Sequence, residues 1–213
     1  MVSASDLTAA SPKDEGARRA GRIGNVTGAL LLGGRSTRMG RDKARLEWQG
    51  EAWSTRIARL LDDLFEQTLL VGGDPEPEAP GIRVADPSGP ACALRGLVGA
   101  LEAASAERVI VVATDLPLLT ADLLLALTAW PESDAVVPRD DRGDHPLCAI
   151  YRREACLAAA RANLAAERLA LRDLLSVVDT QRVALEALGV GIADADVLTN
   201  INTPEELATV EGV

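Results

Sequence analysis

Short apolar runs that alternate with helical patterns constrain the fold of this chain more than any other feature. The clearest run, RVIVVA at residues 108–113, is β-branched at most positions, which is typical of a buried strand. Further strands are predicted at 26–32, 68–71, 82–85, 135–137 and 147–151, and helices at 53–65, 93–104, 120–130, 153–166 and 170–178. Apolar strands that alternate with helices indicate an α/β protein whose mostly parallel sheet is covered by helices on both faces.

The same patterning divides the chain into two parts. Residues 1–24 combine Ala, Ser, Gly and charged side chains without periodicity, which predicts a flexible tail. Residues 25–213 are predicted to form a single domain of ordinary size. A last helix is predicted to begin at Thr203, because Pro204 suits its first position and Glu206 completes a capping box with the threonine.

Charge and composition exclude several classes of function. The net charge is −10, so a broad basic face for nucleic acid is not expected. No apolar run approaches the roughly 18–20 residues that span a bilayer, so no membrane partner is expected either. The three cysteines form no C-x-x-C pair and there is one histidine, which argues against a zinc site. Reduced thiols and the lack of an export signal favour the cytoplasm.

A glycine-rich, cationic loop follows the first predicted strand, in the segment LLLGGRSTRMGRDK (30–43). The apolar run stops at Gly33 and Gly34. Four cations follow: Arg35, Arg38, Arg41 and Lys43. Such a loop suits a phosphorylated ligand, because glycines let backbone N–H groups approach a phosphate and cations neutralise it. A solvated basic turn is about equally compatible with the composition alone.

Two acidic residues follow other predicted strands. Asp86 begins a DPSGP loop, and Asp115 comes directly after RVIVVAT. Ligands of parallel sheets bind beyond the carboxyl ends of the strands, and Asp115 is well placed there to hold a divalent metal. A turn cap or a helix cap is the alternative for each of them. His145 is the only imidazole, which argues against a Ser-His-acid hydrolase, and a surface turn is favoured over a ligand contact for it.

Five segments resemble the molybdenum cofactor guanylyltransferase family of nucleotidyltransferases, in the order that this family has them. They are LLGGRSTRMGRDK (31–43), DPSGP (86–90), ATDLPLLT (113–120), DHPLCAIYR (144–152) and NINTPEEL (200–207). The resemblance spans nearly everything after residue 25 and implies a three-layer, Rossmann-like nucleotidyltransferase fold. It also implies the transfer of GMP from GTP to molybdenum-molybdopterin, which gives molybdopterin guanine dinucleotide and pyrophosphate.

The resemblance implies roles for individual residues of the nucleotide side. The residues expected to contact the nucleotide are Leu31, Leu32, Gly33, Gly34, Lys43, Asp86 and Asp115. Lys43 is expected to bind phosphate and Arg38 to stabilise the leaving pyrophosphate. Asp115 is expected to hold Mg²⁺ between phosphate oxygens.

A second group of residues is implied for the pterin side: His145, Asn200 and Asn202. GTP and molybdenum-molybdopterin are the small-molecule partners that follow from the resemblance. Transient contact with proteins that deliver or insert the molybdenum cofactor is also expected.

The chain departs from the family pattern at two places. Leu32 stands where the family usually has alanine in Leu-Ala-Gly-Gly, so its side chain either narrows the nucleotide pocket or points into the core. The helix after Asp86 usually opens with Gly-Pro-Leu-x-Gly, whereas this chain reads GPACALRG (89–96).

Three alternative functions stay open. A related enzyme that uses CTP typically reads Leu-Ala-Ala-Gly, so Gly33 and Gly34 favour guanine. Another small-molecule nucleotidyltransferase would share the first loop but not the DHP and NINTPEEL segments. A protein that binds GTP or the pterin without turnover would not require the metal ligand, so the presence of Asp115 favours an enzyme.

Overall fold

The computed structural model describes residues 21–33, 47–48, 51–189 and 197–201. Its strands are β1 (Ile23–Leu31), β2 (Glu47–Trp48), β3 (Glu51–Ala52), β4 (Phe65–Val71), β5 (Ile82–Val84), β6 (Arg108–Ala113), β7 (Ala135–Asp140), β8 (Gly143–Asp144), β9 (Cys148–Arg152) and β10 (Thr180–Ala184). Its helices are α1 (Trp53–Leu64), α2 (Ala93–Ala103), α3 (Ala121–Ala129), α4 (Arg153–Ala165) and α5 (Leu171–Leu175), followed by a 3₁₀ helix at Leu185–Leu188. None of these helices has the length and apolar character needed to cross a bilayer.

A central sheet organises these elements in the order β10-β7-β9-β6-β1-β4-β5, with β8 paired to β7. β1 runs parallel to both β4 and β6, and the pairs β4–β5 and β7–β10 are also parallel. β9 is antiparallel to β6 and β7, and β8 is antiparallel to β7. The predicted mostly parallel sheet is therefore confirmed, with an antiparallel insertion on one side.

Two apolar clusters cover the two faces of the sheet and give the fold three layers. One cluster joins α1 and α3 to the sheet, and the other joins α2, α4 and α5. Successive residues of one strand supply opposite clusters: Val109 and Val111 face the second, whereas Ile110 faces the first. Because side chains of a strand alternate between faces and both faces are buried here, β6 reads as a continuous apolar run.

Several element boundaries differ from the prediction. β1 begins at Ile23 rather than residue 26, and α5 is shorter than the predicted helix at 170–178. β10 was not predicted. Among the described strands it pairs with β7 alone, at the edge of the sheet, and of its five residues only Val183 is buried, so it lacks the apolar run of a core strand. The tail at residues 1–20 and the helix predicted from Thr203 lie outside the described residues.

A buried hydrogen-bond network at Thr27 gives a first testable prediction. The Thr27 hydroxyl is inaccessible to solvent, donates to Gln67 Oε1 at 2.8 Å and accepts from the backbone N–H of Ala106 at 3.3 Å. Thr27→Val leaves that N–H without its partner, and we expect it to lower the free energy of unfolding by about 1–3 kcal/mol in urea titrations.

Thr68→Val is the matched control. The Thr68 hydroxyl is also buried, but it has no hydrogen-bond partner among the described residues. Its replacement should therefore leave the free energy of unfolding unchanged or raise it, because no hydrogen bond is lost. Equal losses in the two variants would contradict the role assigned to the network.

Candidate active site

The carboxyl ends of β1, β4, β5 and β6 lie side by side, because these strands are parallel neighbours. Backbone hydrogen bonds extend this edge beyond the strands: Leu32 N–H donates to Val71 O, and Gly72 N–H donates to Val84 O, each at 2.9 Å. The loops that follow therefore start from a fixed base, which is where ligands of parallel sheets bind.

The Leu32 side chain points into the core. It is 5% exposed and belongs to the apolar cluster of α1 and α3. Leu31 is buried on the opposite face, and Gly33, which follows, is exposed at the edge of the sheet. Leu32, which differs from the alanine usual in the family, therefore does not point its larger side chain toward the ligand edge.

The Asp86 carboxylate lies against the backbone of two glycines. A Cβ atom built on Gly33 would be 3.5 Å from Asp86 Oδ2, which is ordinary contact distance. A Cβ built on Gly72, whose φ is +69°, would be 2.7 Å from Oδ1 and would clash. The absence of a side chain at Gly72 thus makes room for the carboxylate, and glycine is also the residue best suited to that φ.

Arg95 fixes the Asp86 carboxylate from the first turn of α2. Its Nη2 donates to Asp86 Oδ2 at 2.9 Å, and its Nη1 donates to the carbonyl oxygen of Gly89 at 2.5 Å. The two side chains are only 17% and 29% exposed. Arg95 was not predicted from the sequence. It lies in the segment GPACALRG (89–96), and a cation so soon after Asp86 was a signal for an ion pair between the two.

Asp115 lies just beyond β6, and its side chain is half-buried. Its backbone carbonyl accepts a hydrogen bond of 2.9 Å from the N–H of Ile201. Ile201 is buried, whereas the preceding Asn200 is exposed. The structure therefore brings the backbone of Asn200 next to Asp115.

The residues at this edge fit a magnesium ion that is shared with a substrate. Asp115 supplies carboxylate oxygens, which are the hard donors that Mg²⁺ prefers. In the described ranges no three His, Cys, Asp or Glu side chains converge as a metal cage. Mg²⁺ is usually held by one or two carboxylates together with substrate phosphates and water, so a single acidic residue suits it.

His145 lies in the turn before β9, and its side chain is only 15% exposed. The backbone N–H of His145 donates to the carbonyl oxygen of Pro138, and the imidazole Nε2 lies 2.9 Å from Asp140 Oδ1. Burial favours protonation of Asp140, but contacts with His145 and Arg142 outweigh it and lower the pKa of that carboxyl to about 2. His145 thus lies in a turn, as the sequence favoured, but its imidazole is largely buried and not at the surface as expected.

The remaining predicted residues lie outside the described part of the chain: Gly34, Arg38, Lys43 and Asn202. Within it, Gly33 lies beside Asp86, and Asp115 lies beside Asn200. The turn of His145 lies farther along the same edge. It is linked to the end of β6 by the hydrogen bond from Ala113 N–H to Leu147 O at 2.9 Å.

Comparison with known proteins matches residues 28–184 to a family described as MobA-like NTP transferase domain. A probable molybdenum cofactor guanylyltransferase of Pelotomaculum thermopropionicum is 35% identical over 85% of this chain and 90% of the relative. A molybdenum cofactor guanylyltransferase of Xanthomonas euvesicatoria is also 35% identical, over 84% and 91%.

Among solved structures, the molybdopterin-guanine dinucleotide biosynthesis protein A of Archaeoglobus fulgidus superposes with a TM-score of 0.73. The match covers 87% of this chain and 97% of that protein at 22% identity, and it shows a shared fold. The fold expected from the sequence is thereby confirmed.

Proposed function

The chain belongs to the MobA-like NTP transferase domain family, and from that premise we propose that it transfers GMP from GTP to molybdenum-molybdopterin. The products are molybdopterin guanine dinucleotide and pyrophosphate. The observation that carries the proposal is the convergence of Gly33, Asp86 and Asp115 at one edge of the sheet. The names of the relatives that match most of the chain support the same reaction.

The nucleotide side of the proposed site consists of the exposed main chain at Gly33 and the Asp86 carboxylate. Gly33 lets the nucleotide approach the main chain closely, and Asp86, held by Arg95, accepts hydrogen bonds from it. Lys43 and Arg38 of the basic loop bind the triphosphate and stabilise the leaving pyrophosphate.

The chain contributes to this reaction mainly through positioning. The terminal phosphate of the pterin substrate attacks the α-phosphorus of GTP in line, and such transfer needs orientation and charge neutralisation rather than a covalent catalyst. Asp115 would hold Mg²⁺, which would supply charge neutralisation to the phosphate oxygens. Asn200, Asn202 and His145 orient the pterin substrate from the other side.

The dinucleotide product of this reaction is passed on in transient contact with proteins that deliver or insert the molybdenum cofactor. We place the reaction in the cytoplasm, a compartment with which the three free cysteines are compatible.

Product identification tests the proposal. The full chain is incubated with molybdenum-molybdopterin, Mg²⁺ and one nucleoside triphosphate at a time, and the products are identified by mass spectrometry. A guanine dinucleotide formed with GTP supports the proposal. A dinucleotide formed with CTP alone, or GTP binding without any product, would refute it in favour of a cytidylyltransferase or a non-catalytic binder.

Arg95→Met tests the support of Asp86. The substitution preserves much of the side-chain volume but releases the carboxylate and removes a compensating charge near the triphosphate. We expect the KM for GTP to rise about tenfold, which corresponds to the loss of one charge-assisted hydrogen bond. The KM for the pterin substrate should change little in the same steady-state measurements.

Arg161→Met is the control for this variant. Arg161 of α4 forms an ion pair with Glu102 of α2 at 2.8 Å, close to the 2.9 Å between Arg95 and Asp86. That pair is more exposed and lies away from Asp86, so both KM values should equal those of the unmodified protein. A normal KM for GTP in Arg95→Met would show that Asp86 does not depend on this arginine.

A further inference from the structure

The turn between β7 and β8 is organised by a single carboxylate. Asp140 Oδ1 accepts hydrogen bonds from the backbone N–H groups of Arg142 at 2.9 Å and Gly143 at 3.2 Å. Asp140 Oδ2 accepts from Arg142 Nε at 3.0 Å. The Asp140 side chain is 11% exposed, and it also contacts His145. Arg142 is thus fixed at both its backbone and its guanidinium group.

The same guanidinium reaches a distant part of the chain. Arg142 Nη1 donates to Thr199 Oγ1 at 2.7 Å. Thr199 immediately precedes Asn200, and Ile201, which follows Asn200, donates its N–H to the carbonyl oxygen of Asp115. The exposed Asn200 therefore lies between two anchored neighbours, one tied to the β7–β8 turn and the other to the end of β6.

We propose that Arg142 is a positioning residue that holds the Thr199–Ile201 segment in place and so orients Asn200 toward the second substrate. This inference rests on the proposed function, since it concerns the pterin side of the same site. Asp140 connects the two pterin-side elements, because it contacts both Arg142 and His145. An Asn200 segment that is ordered before the substrate arrives lowers the entropy cost of binding it.

Arg142 differs from an ordinary surface cation because its guanidinium contacts both Asp140 and Thr199. Exposed ion pairs contribute little to stability, and the Arg142 side chain is 48% exposed. Its effect is expected on the position of the Thr199–Ile201 segment rather than on the free energy of unfolding. A segment anchored on only one side of Asn200 retains freedom about its remaining backbone dihedrals, whereas two anchors restrict it.

Variants of Thr199 test the inference without disturbing the Asp140 turn. Thr199→Val removes the acceptor of the Arg142 hydrogen bond, and Thr199→Ser keeps it. With the full chain, GTP, Mg²⁺ and molybdenum-molybdopterin, we expect Thr199→Val to raise the KM for the pterin substrate about tenfold and the KM for GTP less than about twofold. Thr199→Ser should restore the KM of the unmodified protein.

Arg142→Ala and the double variant Arg142→Ala/Thr199→Val complete the cycle. Arg142→Ala should raise the pterin KM at least as much as Thr199→Val, because it also removes the contact of the guanidinium with Asp140. The double variant should show the same pterin KM as Arg142→Ala alone, because Thr199 acts through its hydrogen bond to Arg142. Arg182→Ala is the matched control: Arg182 donates to Asp144 at 2.8 Å from β10 and should leave both KM values unchanged. Additive losses in the double variant, or equal changes in both KM values, would overturn the proposal.

Amide hydrogen exchange separates this inference from the proposed function. If the unmodified protein makes no dinucleotide, the proposed function fails, and the segment is then judged by the exchange rate of the Ile201 amide. Faster exchange in Thr199→Val and normal exchange in Thr199→Ser support the positioning role of Arg142. Equal exchange in both variants overturns it.

Discussion

Replacement of Asp115 by alanine is expected to abolish Mg²⁺-dependent pyrophosphate release, with a loss of at least about a thousandfold in kcat/KM. Asp115 is the acidic residue at the carboxyl end of β6, at the edge of the sheet where the nucleotide is proposed to bind. In the proposed reaction the Asp115 carboxylate would hold Mg²⁺ against the phosphate oxygens, so its removal would leave their charge without neutralisation. Release of pyrophosphate from GTP in the presence of the pterin substrate measures the effect.

The fold should survive this change. The hydrogen bond to Ile201 uses the backbone carbonyl of residue 115, so a change of its side chain leaves that bond in place. Asp141→Ala is a suitable control, because Asp141 is an exposed acid in the β7–β8 turn and should be replaceable without loss of activity. Undiminished pyrophosphate release by Asp115→Ala would refute Asp115 as the metal ligand.

Replacement of Gly72 by alanine is expected to raise the KM for GTP by about tenfold or more, because the new methyl group displaces Asp86. A Cβ atom at this position would lie 2.7 to 2.9 Å from three atoms of the Asp86 carboxyl group. The left-handed φ of +69° adds a backbone cost of about 1–2 kcal/mol. The free energy of unfolding and the KM for GTP are both measured.

Gly189→Ala separates the two causes. Gly189 has a similar φ of +78°, but within the described part of the chain no heavy atom approaches the position of its Cβ within 4 Å. It should lose about 1–2 kcal/mol of unfolding free energy and keep a normal KM for GTP. A normal KM in Gly72→Ala would contradict the placement of Asp86 against the glycine backbone as a functional arrangement.

The sheet and the acidic residues at its edge could be predicted because their signals are local. RVIVVA is recognisable as a buried strand from its own six residues, and β6 has those bounds. The position of Asp115 then follows from the rule that loops after parallel strands form the ligand edge. The orientation of Leu32 was left open by the sequence, because the residue lies just where the strand ends and its side chain could face either the core or the ligand edge.

The side chains that support the site could not be predicted in the same way. Arg142 meets Thr199, 57 residues away, only after folding has brought separate segments together. Arg95 follows Asp86 by nine residues, so the sequence shows the cation near the acid but not the turn that joins them. Neither pair has the fixed spacing of a helix or a strand, so no periodicity marks it. Both arginines appear in the sequence as ordinary charged residues near turns.

The fate of the two labelled phosphates of GTP is the most direct measurement of the proposed reaction. The full chain is supplied with molybdenum-molybdopterin, Mg²⁺ and GTP labelled at either the α- or the γ-phosphate. We predict that the α-label enters the guanine dinucleotide and that the γ-label leaves as pyrophosphate in equal amount. An α-label that stays in GTP or GDP, with no dinucleotide formed, would contradict guanylyl transfer by this chain.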